Sequence, residues 1–445
     1  VGPAAYLFSD SVRANLLFGL KHRPLATPEI DEEETAARTE KMAENARAGN
    51  TDEDFNDDWV DYKTLGVDET ATTDDRLIAL LEEVDLTRAV YDYGLRSAVD
   101  LTGRDGLSDR ILEARARLSA LLAEQSLEDL VEPYDPEKYN DNASLAENLL
   151  FGTVISDKLN VDALGDHAYV LATIKEVGLT EDLLGIGRET AALMLELFAD
   201  VEPGDALFEQ YSFIKAEDLP EYQIIVAKFD RGGAEALNDR ERSMLLTLPF
   251  KLIPARHRLG LITDEIRERV IEARKHFREH MPEDLAGAVE FFDPAEFNAV
   301  ASVQDNILFG KIAYGQAEGP ETVGRLIDET VDELGLRRDI VGAGLEFQVG
   351  IGGSRLSGTQ RQKIAIARAL AKQPDILILN AATDGMDTRT RHALVDRVLA
   401  AAPGGVVWAV GDGEYLKGFD RAAEVAGGKV VNVETLDSAA AEPAS

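Results

Sequence analysis

The sequence predicts an α/β fold whose sheet lies in its last third, preceded by a large, mostly helical insertion that contains internal repeats. Three observations carry this. Residues 375–379 (DILIL) and 406–410 (VVWAV) are short continuous apolar runs, and the helix-favouring stretch 388–401 lies between them. That order, strand–helix–strand, suits a buried parallel sheet. Residues 356–371 read as a capped helix approached through glycines. Upstream, apolar residues recur at helical spacing, and whole segments recur with them.

The composition narrows the function classes. With 445 residues the chain has room for two or three domains. It carries 83 acidic against 46 basic residues, a formal charge of −37. Such a surface repels phosphate backbones, so nucleic acid is not an expected partner. The absence of cysteine excludes disulfides and thiolate metal sites, and six scattered histidines show no ligand spacing, so no metal site is expected. No apolar run approaches the 18 residues of a membrane span. The chain starts at Val1. It reads as the C-terminal part of a longer polypeptide.

Residues 1–28 mix apolar and turn residues. Residues 29–75 hold the clusters EIDEEE and TDEDFNDD and are expected to be an acidic linker or a solvated helix. Asp52–Asp58 lacks the glycine and terminal glutamate of a calcium loop and reads as a solvated run. From residue 76 to 300 the pattern is helical, with Leu77, Leu80, Leu81 and Val84, then Ile111, Leu112, Leu118, Leu121 and Leu122 on common faces. Residues 132–152 (EPYDPEKYNDNASLAENLLFG) and 290–310 (EFFDPAEFNAVASVQDNILFG) align without a gap, and SDSVRANLLFG at 9–19 is a shorter version. A second element follows each copy: EVDLTRAVYDYGL at 83–95, EVGLTEDLLGIGR at 176–188 and ELGLRRDIVGAGL at 333–345. Two linked elements in one order make a module present three times. LSDRILEARARL at 107–118 and LNDRERSMLLTL at 237–248 read as altered versions of the capped helix at 356–370. Residues 301–435 form the α/β part, and 436–445 read as a disordered tail.

The chemistry concentrates in LSGTQRQKIAIARAL, residues 356–370. Ser357 sits at a plausible N-cap, the helix that follows should stop near Pro374, and Gly358 lets a ligand approach the backbone without a Cβ in the way. A helix N-terminus with free N–H groups attracts phosphate. An ordinary capped helix would look the same in isolation. The full fifteen residues, however, resemble the signature motif of ATP-binding cassette (ABC) ATPases, and DILILNAATDGMD at 375–387 resembles the Walker B strand and D-loop that follow it there. Residues 1–19 are similar to the Q-loop segment of exporter-type members. The resemblance implies the C-terminal part of a P-loop NTPase (ABC ATPase) domain, with the helical subdomain expanded to three copies of one module.

The resemblance also implies site residues. Ser357, Gly358, Thr359 and Gln360 would contact ATP held by a second nucleotide-binding subunit, in a homodimer or heterodimer, and Asp387 would be the D-loop aspartate at that interface. The sequence departs from the family elsewhere. No GxxxxGK[ST] loop occurs, and in the family that loop precedes the Q-loop. Pro3, preceded by Gly2, stands at the Q-loop glutamine, Asn380 at the Walker B aspartate, Ala381 at the catalytic glutamate and Gly411 at the switch histidine. Asparagine is a poor ligand for Mg²⁺, and a methyl group cannot polarise water. The chain itself is therefore expected to have no catalytic residue, with ATP and Mg²⁺ implied by the family alone. A permease upstream in the same polypeptide would place the chain on the cytoplasmic face of a membrane. The alternative is a non-hydrolysing regulatory or scaffold protein whose helical insertion binds partners. The basic stretch 248–262 (LPFKLIPARHRLGLI), with Lys251, Arg256, His257 and Arg258, is a candidate docking surface but reads better as an irregular solvated element. Trp59 and Trp408 read as packing residues.

Overall fold

The computed structural model describes the chain except for residues 23–30, 52, 55–56, 69–70, 103, 200, 202–207, 209–211, 411–415 and 437–445, and the side chains of 32, 33 and 161. The chain divides into two compact units, Val1–Ser97 with Arg337–Ser445, and Ala98–Leu336. The first unit begins with α1 (Val12–Leu17), capped by the Ser11 hydroxyl accepting from the Ala14 amide. The acidic stretch holds a 17-residue helix, α2 (Glu32–Ala48), started by Asp31 and ended by Gly49 in the left-handed region. None of its described side chains is buried, so it is the solvated helix of the two expected forms. Helices α3 (Thr73–Glu83) and α4 (Thr87–Leu95) complete this stretch.

The second unit runs from α5 (Leu107–Glu124) through β1 (Val131–Pro133), α6 (Leu145–Leu150) and β2 (Gly152–Val154) to α7 (Ala168–Glu176) and α8 (Thr180–Leu197). It continues with α9 (Leu219–Gly232), α10 (Asp239–Phe250), α11 (Asp264–Glu279), β3 (Val289–Phe291), α12 (Val303–Leu308), β4 (Gly310–Ile312) and α13 (Gly319–Glu333). The chain returns to the first unit with α14 (Arg337–Gly344), α15 (Gly358–Leu370), β5 (Ile376–Asn380), α16 (Thr388–Ala401), β6 (Gly405–Ala409) and the hairpin β7 (Arg421–Ala426) and β8 (Lys429–Thr435). Strands β5 and β6 pair in parallel, as the sequence predicts, each one residue off the expected span, and α16 matches its expected range.

The four short strands of the second unit are what the helical pattern did not announce. β1 pairs antiparallel with β4, and β2 with β3, in matching registers: Val131 opposite Ile312 and Val154 opposite Val289. Since 131–154 and 289–312 are repeats, the two copies are exchanged about a local pseudo-twofold axis. Equivalent residues meet on it: Tyr134 and Phe292 stack with ring centroids 4.2 Å apart, flanked edge-on by the equivalent Phe151 and Phe309. Gly152 and Gly310 are required there, because a Cβ on either would lie 2.5 Å from the Glu290 or Glu132 carbonyl oxygen.

The three copies of the capped NLLFG helix share one internal device. Asn15, Asn148 and Asn306 are buried, and each amide folds back on a residue seven or eight positions earlier (Phe8, Asn140, Asn298), accepting its N–H and donating to its carbonyl. Each helix then packs on an arginine-bearing helix: α1 on α15, α6 on α11 and α12 on α5. The pairing is nested along the chain, the first NLLFG helix with the last arginine helix and the second with its own. Identical local patterns cannot announce which copy packs on which. The division at Ser97 and Leu336, rather than at 75 and 300, follows from this exchange, because α3 packs on α15 and α4 on α14.

The crossing of α4 and α14 shows why the EVxL element ends on glycine. A Cβ at Gly94 would sit 1.9 Å from the Ile340 carbonyl oxygen, and one at Gly344 equally close to that of Val90. Gly187 of α8 meets Leu245 of α10 in the same way, at 2.2 Å. Residues 237–248 therefore belong to a close helix crossing. The second copy's arginine helix is α11, whose Thr263 caps it as Ser357 caps α15. Asn238 and Glu241 form a capping box at the start of α10, a device that marks any helix start and not this repeat.

Candidate functional site

The signature-like helix α15 starts where the sequence placed it. Ser357 adopts extended backbone angles, its hydroxyl accepts from the Gln360 amide at 3.2 Å, and Gln360 Oε1 accepts from the Ser357 amide at 2.8 Å. This reciprocal cap leaves the amides at the start of the helix facing outward, with Ser357 and Gly358 exposed. Its first turn holds no acidic residue. The equivalent helices differ: α5 has Asp109 in its first turn and α11 has Asp264 and Glu265. A carboxylate in the first turn cancels the positive end of the helix dipole, so of the three only α15 presents a terminus suited to an anion.

Around this terminus the first unit forms an open cleft of about 310 Å³, lined by Pro3–Ala5, by Gly358, Thr359, Arg361 and Gln362 of α15, and by Ala382, Gly385 and Met386 after β5. Three segments distant in sequence are thus brought together. The Val1 carbonyl accepts from the Asn380 amide at 2.9 Å, and the Val1 nitrogen donates to the Ile378 carbonyl, the hydrogen-bond pattern of a parallel neighbour to β5. Lys363, buried on α15, donates to the backbone and carboxylate oxygens of Asp85, at 2.7 and 2.9 Å, which fixes the helix on the α3–α4 turn.

The remaining expected positions are placed as follows. Asn380 is the last residue of β5 and is exposed. Ala381 has a positive φ of 50°, and its amide donates to the Ala409 carbonyl. Asp387 caps α16, and hydrogen bonds from the Thr390 hydroxyl and amide hold its carboxyl below the usual aspartate range. Gly411 lies outside the described residues, as do residues 437–445 of the expected tail. The residues present do not make a metal site: Asn380 and Ala381 bring no carboxylate, and among the described residues no group of three or more His, Asp or Glu side chains is placed to hold an ion.

Two groups at this site were not picked out from the sequence. Gln362 donates to the carbonyls of Gly2 and Pro3, and Arg368 to that of Tyr6. Their acceptors are main-chain oxygens, which leave no trace in residue types. Another cavity, of about 690 Å³ between α16, β6 and the β7–β8 hairpin, shares no residue with the cleft. On β5 and β6 the face carrying Ile376, Ile378 and Val407 is uncovered, each more than half exposed. Among the described residues no helix is long and apolar enough to cross a membrane.

The chain is similar to several ABC exporters. An ATP-dependent lipid A-core flippase of Xylella fastidiosa is 37% identical over 102 residues, 23% of this chain and 16% of that protein. An ATM1-type heavy metal exporter of Novosphingobium aromaticivorans is 29% identical over 261 residues, 54% of this chain and 41% of that protein. The ABC multidrug transporter mdr2 of Aspergillus fumigatus is 55% identical over 58 residues, 13% of this chain and 7% of that protein. The chain thus spans less than half the length of each of these relatives. No protein-family profile and no solved structure matches it.

Proposed function

We propose that the chain, similar as it is to ATP-binding cassette exporters, belongs to that family and is the signature-bearing part of a transport ATPase, completing an ATP site on a second nucleotide-binding subunit. The observation that carries this reading is the start of α15: an exposed Ser357–Gly358 terminus, free of acidic residues in its first turn and open to a cleft. The γ-phosphate of ATP bound by the partner would meet Ser357, Gly358, Thr359 and Gln360, with Asp387 nearby at the dimer interface. That phosphate fits the residues present. Mg²⁺ does not, because Asn380 and Ala381 stand where its ligand and the catalytic base would be, so metal and base have to come from the partner's site.

An upstream lobe would cover the apolar face of β5 and β6, and an upstream permease would hold the chain at the cytoplasmic face of a membrane. ATP-driven closure of the dimer would move that permease. The test uses the full polypeptide that carries this chain. Ser357→Arg, which fills the γ-phosphate position, lowers ATPase activity about a hundredfold or more if the signature completes the partner's site. An unchanged rate refutes the in-trans role and favours a non-hydrolysing regulatory or scaffold protein. The chain alone shows no ATPase activity on this reading.

A further inference from the structure

Three helices of this chain hold a turn by its main-chain carbonyls, and one does so differently. In the second unit Arg274 of α11 donates to the carbonyls of Asp135, Pro136 and Lys138, and its guanidinium lies 4.3 Å from the Phe151 ring centroid. Arg115 of α5 repeats this on Asp293, Pro294 and Glu296, 4.1 Å from the centroid of Phe309. In the first unit the equivalent Arg368 reaches only the Tyr6 carbonyl, at 3.0 Å. Phe18, the counterpart of Phe151 and Phe309, is 44% exposed with a φ of −53°, and packs on Phe8 instead.

The missing contacts are made by Gln362, six residues before Arg368 on α15. Its Nε2 donates to the Gly2 carbonyl at 3.2 Å and to the Pro3 carbonyl at 2.6 Å. The corresponding residues of α5 and α11 are Asp109 and Glu268, acidic side chains that carry no N–H to donate. Gln362 Oε1 is buried and has no hydrogen-bond partner, so the amide is held through its donating end.

We propose that Gln362 is a positioning residue: with Arg368 it holds residues 1–6 against the signature helix and sets the width of the cleft between Pro3–Ala5 and Gly358–Thr359. Its acceptors are main-chain carbonyls, so the tether is independent of the side chain at position 3, where proline has none to offer a ligand. Naming position 3 as the Q-loop rests on the functional reading above; the tether does not.

The test is hydrogen exchange on the full chain without nucleotide, read at the amides of Phe8, which donates to Asn15 Oδ1, and Asn380, which donates to the Val1 carbonyl. Gln362→Met keeps the shape and removes the donor; Gln362→Glu imitates the acceptor of α11. Both accelerate exchange at these amides about tenfold, from the net worth of the hydrogen bonds lost, while α15 amides keep their protection. Gln362→Lys restores a donor and stays within about twofold of the parent chain. Packing alone ranks Met above Lys, and donation ranks Lys above Met. Unchanged exchange in Met or Glu, or Lys as fast as Met, overturns the proposal whatever the ATPase measurement gives.

Discussion

The arginine clamp of the second unit offers the sharpest stability test. Arg274 is 5% exposed and donates five hydrogen bonds: Nε to the Asn148 carbonyl at 2.7 Å, Nη1 to the three turn carbonyls, and Nη2 to Asn148 Oδ1. Burial pushes its guanidinium down to about 10, so it stays charged at working pH. Arg274→Met keeps the apolar stem and removes every donor. The Asn148 carbonyl lies in a buried bond and loses its partner, at about 1–3 kcal/mol, Asn148 Oδ1 keeps the Asn140 amide and loses about 1 kcal/mol, and the contact over Phe151 adds about 1 kcal/mol. Relief of the buried charge offsets part of this. A net loss of about 3–4 kcal/mol follows, a shift of about 1–2 M in the urea midpoint for a urea slope of about 2–3 kcal/mol/M. Both tryptophans, Trp59 and Trp408, belong to the first unit, so tryptophan fluorescence follows that unit while far-ultraviolet circular dichroism follows both. The expected result is an early dichroism transition with an unmoved fluorescence transition. Arg368→Met, which loses one bond, shifts fluorescence by about 1 kcal/mol. A midpoint shift for Arg274→Met under about 0.3 M, or equal shifts in both probes, refutes the reasoning.

Two glycines of α8 should respond with opposite signs. Gly187→Ala forces a Cβ onto the Leu245 carbonyl and costs about 2–4 kcal/mol in dichroism-monitored unfolding, whereas Gly185→Ala meets nothing within 4 Å and stabilises by about 0.5–1 kcal/mol. Glu147 and Lys311 pair at 2.7 Å; burial raises the glutamate, but Lys311 and the Ser144 hydrogen bonds outweigh it and leave its carboxyl below the ordinary range. A depressed carboxyl stabilises above its unfolded pKa, and that stabilisation is lost as pH falls through the folded value. Glu147→Gln should thus weaken the chain at pH 7 by less than about 1 kcal/mol, given partial exposure, and narrow the gap between pH 7 and pH 4; an unchanged pH profile counts against the pair. Ala381→Gly relieves the positive φ and should raise stability by a few tenths to about 1 kcal/mol, read as a higher fluorescence midpoint.

What the sequence determined by itself was local. Ser357 and Gln360 make a capping box from four consecutive positions, the apolar runs at 375–379 and 406–410 read as two strands and pair in parallel one residue off those spans, and N-L/I-L-F-G recurs because each copy needs the same buried asparagine. What only the tertiary structure decided was partnership. Three modules with near-identical interfaces can close in several pairings, and nothing in Arg115, Arg274 or Arg368 says which turn each will hold. The strands 131–133, 152–154, 289–291 and 310–312 are three residues long and gain their pairing only from the exchange around Tyr134 and Phe292. The cleft beside Ser357 is of the same kind: its walls come from residues 3–5, 358–362 and 382–386, joined by hydrogen bonds to backbone oxygens that carry no sequence signature. Side-chain chemistry is written in the residues, whereas main-chain acceptors are the same at every position until the fold selects among them.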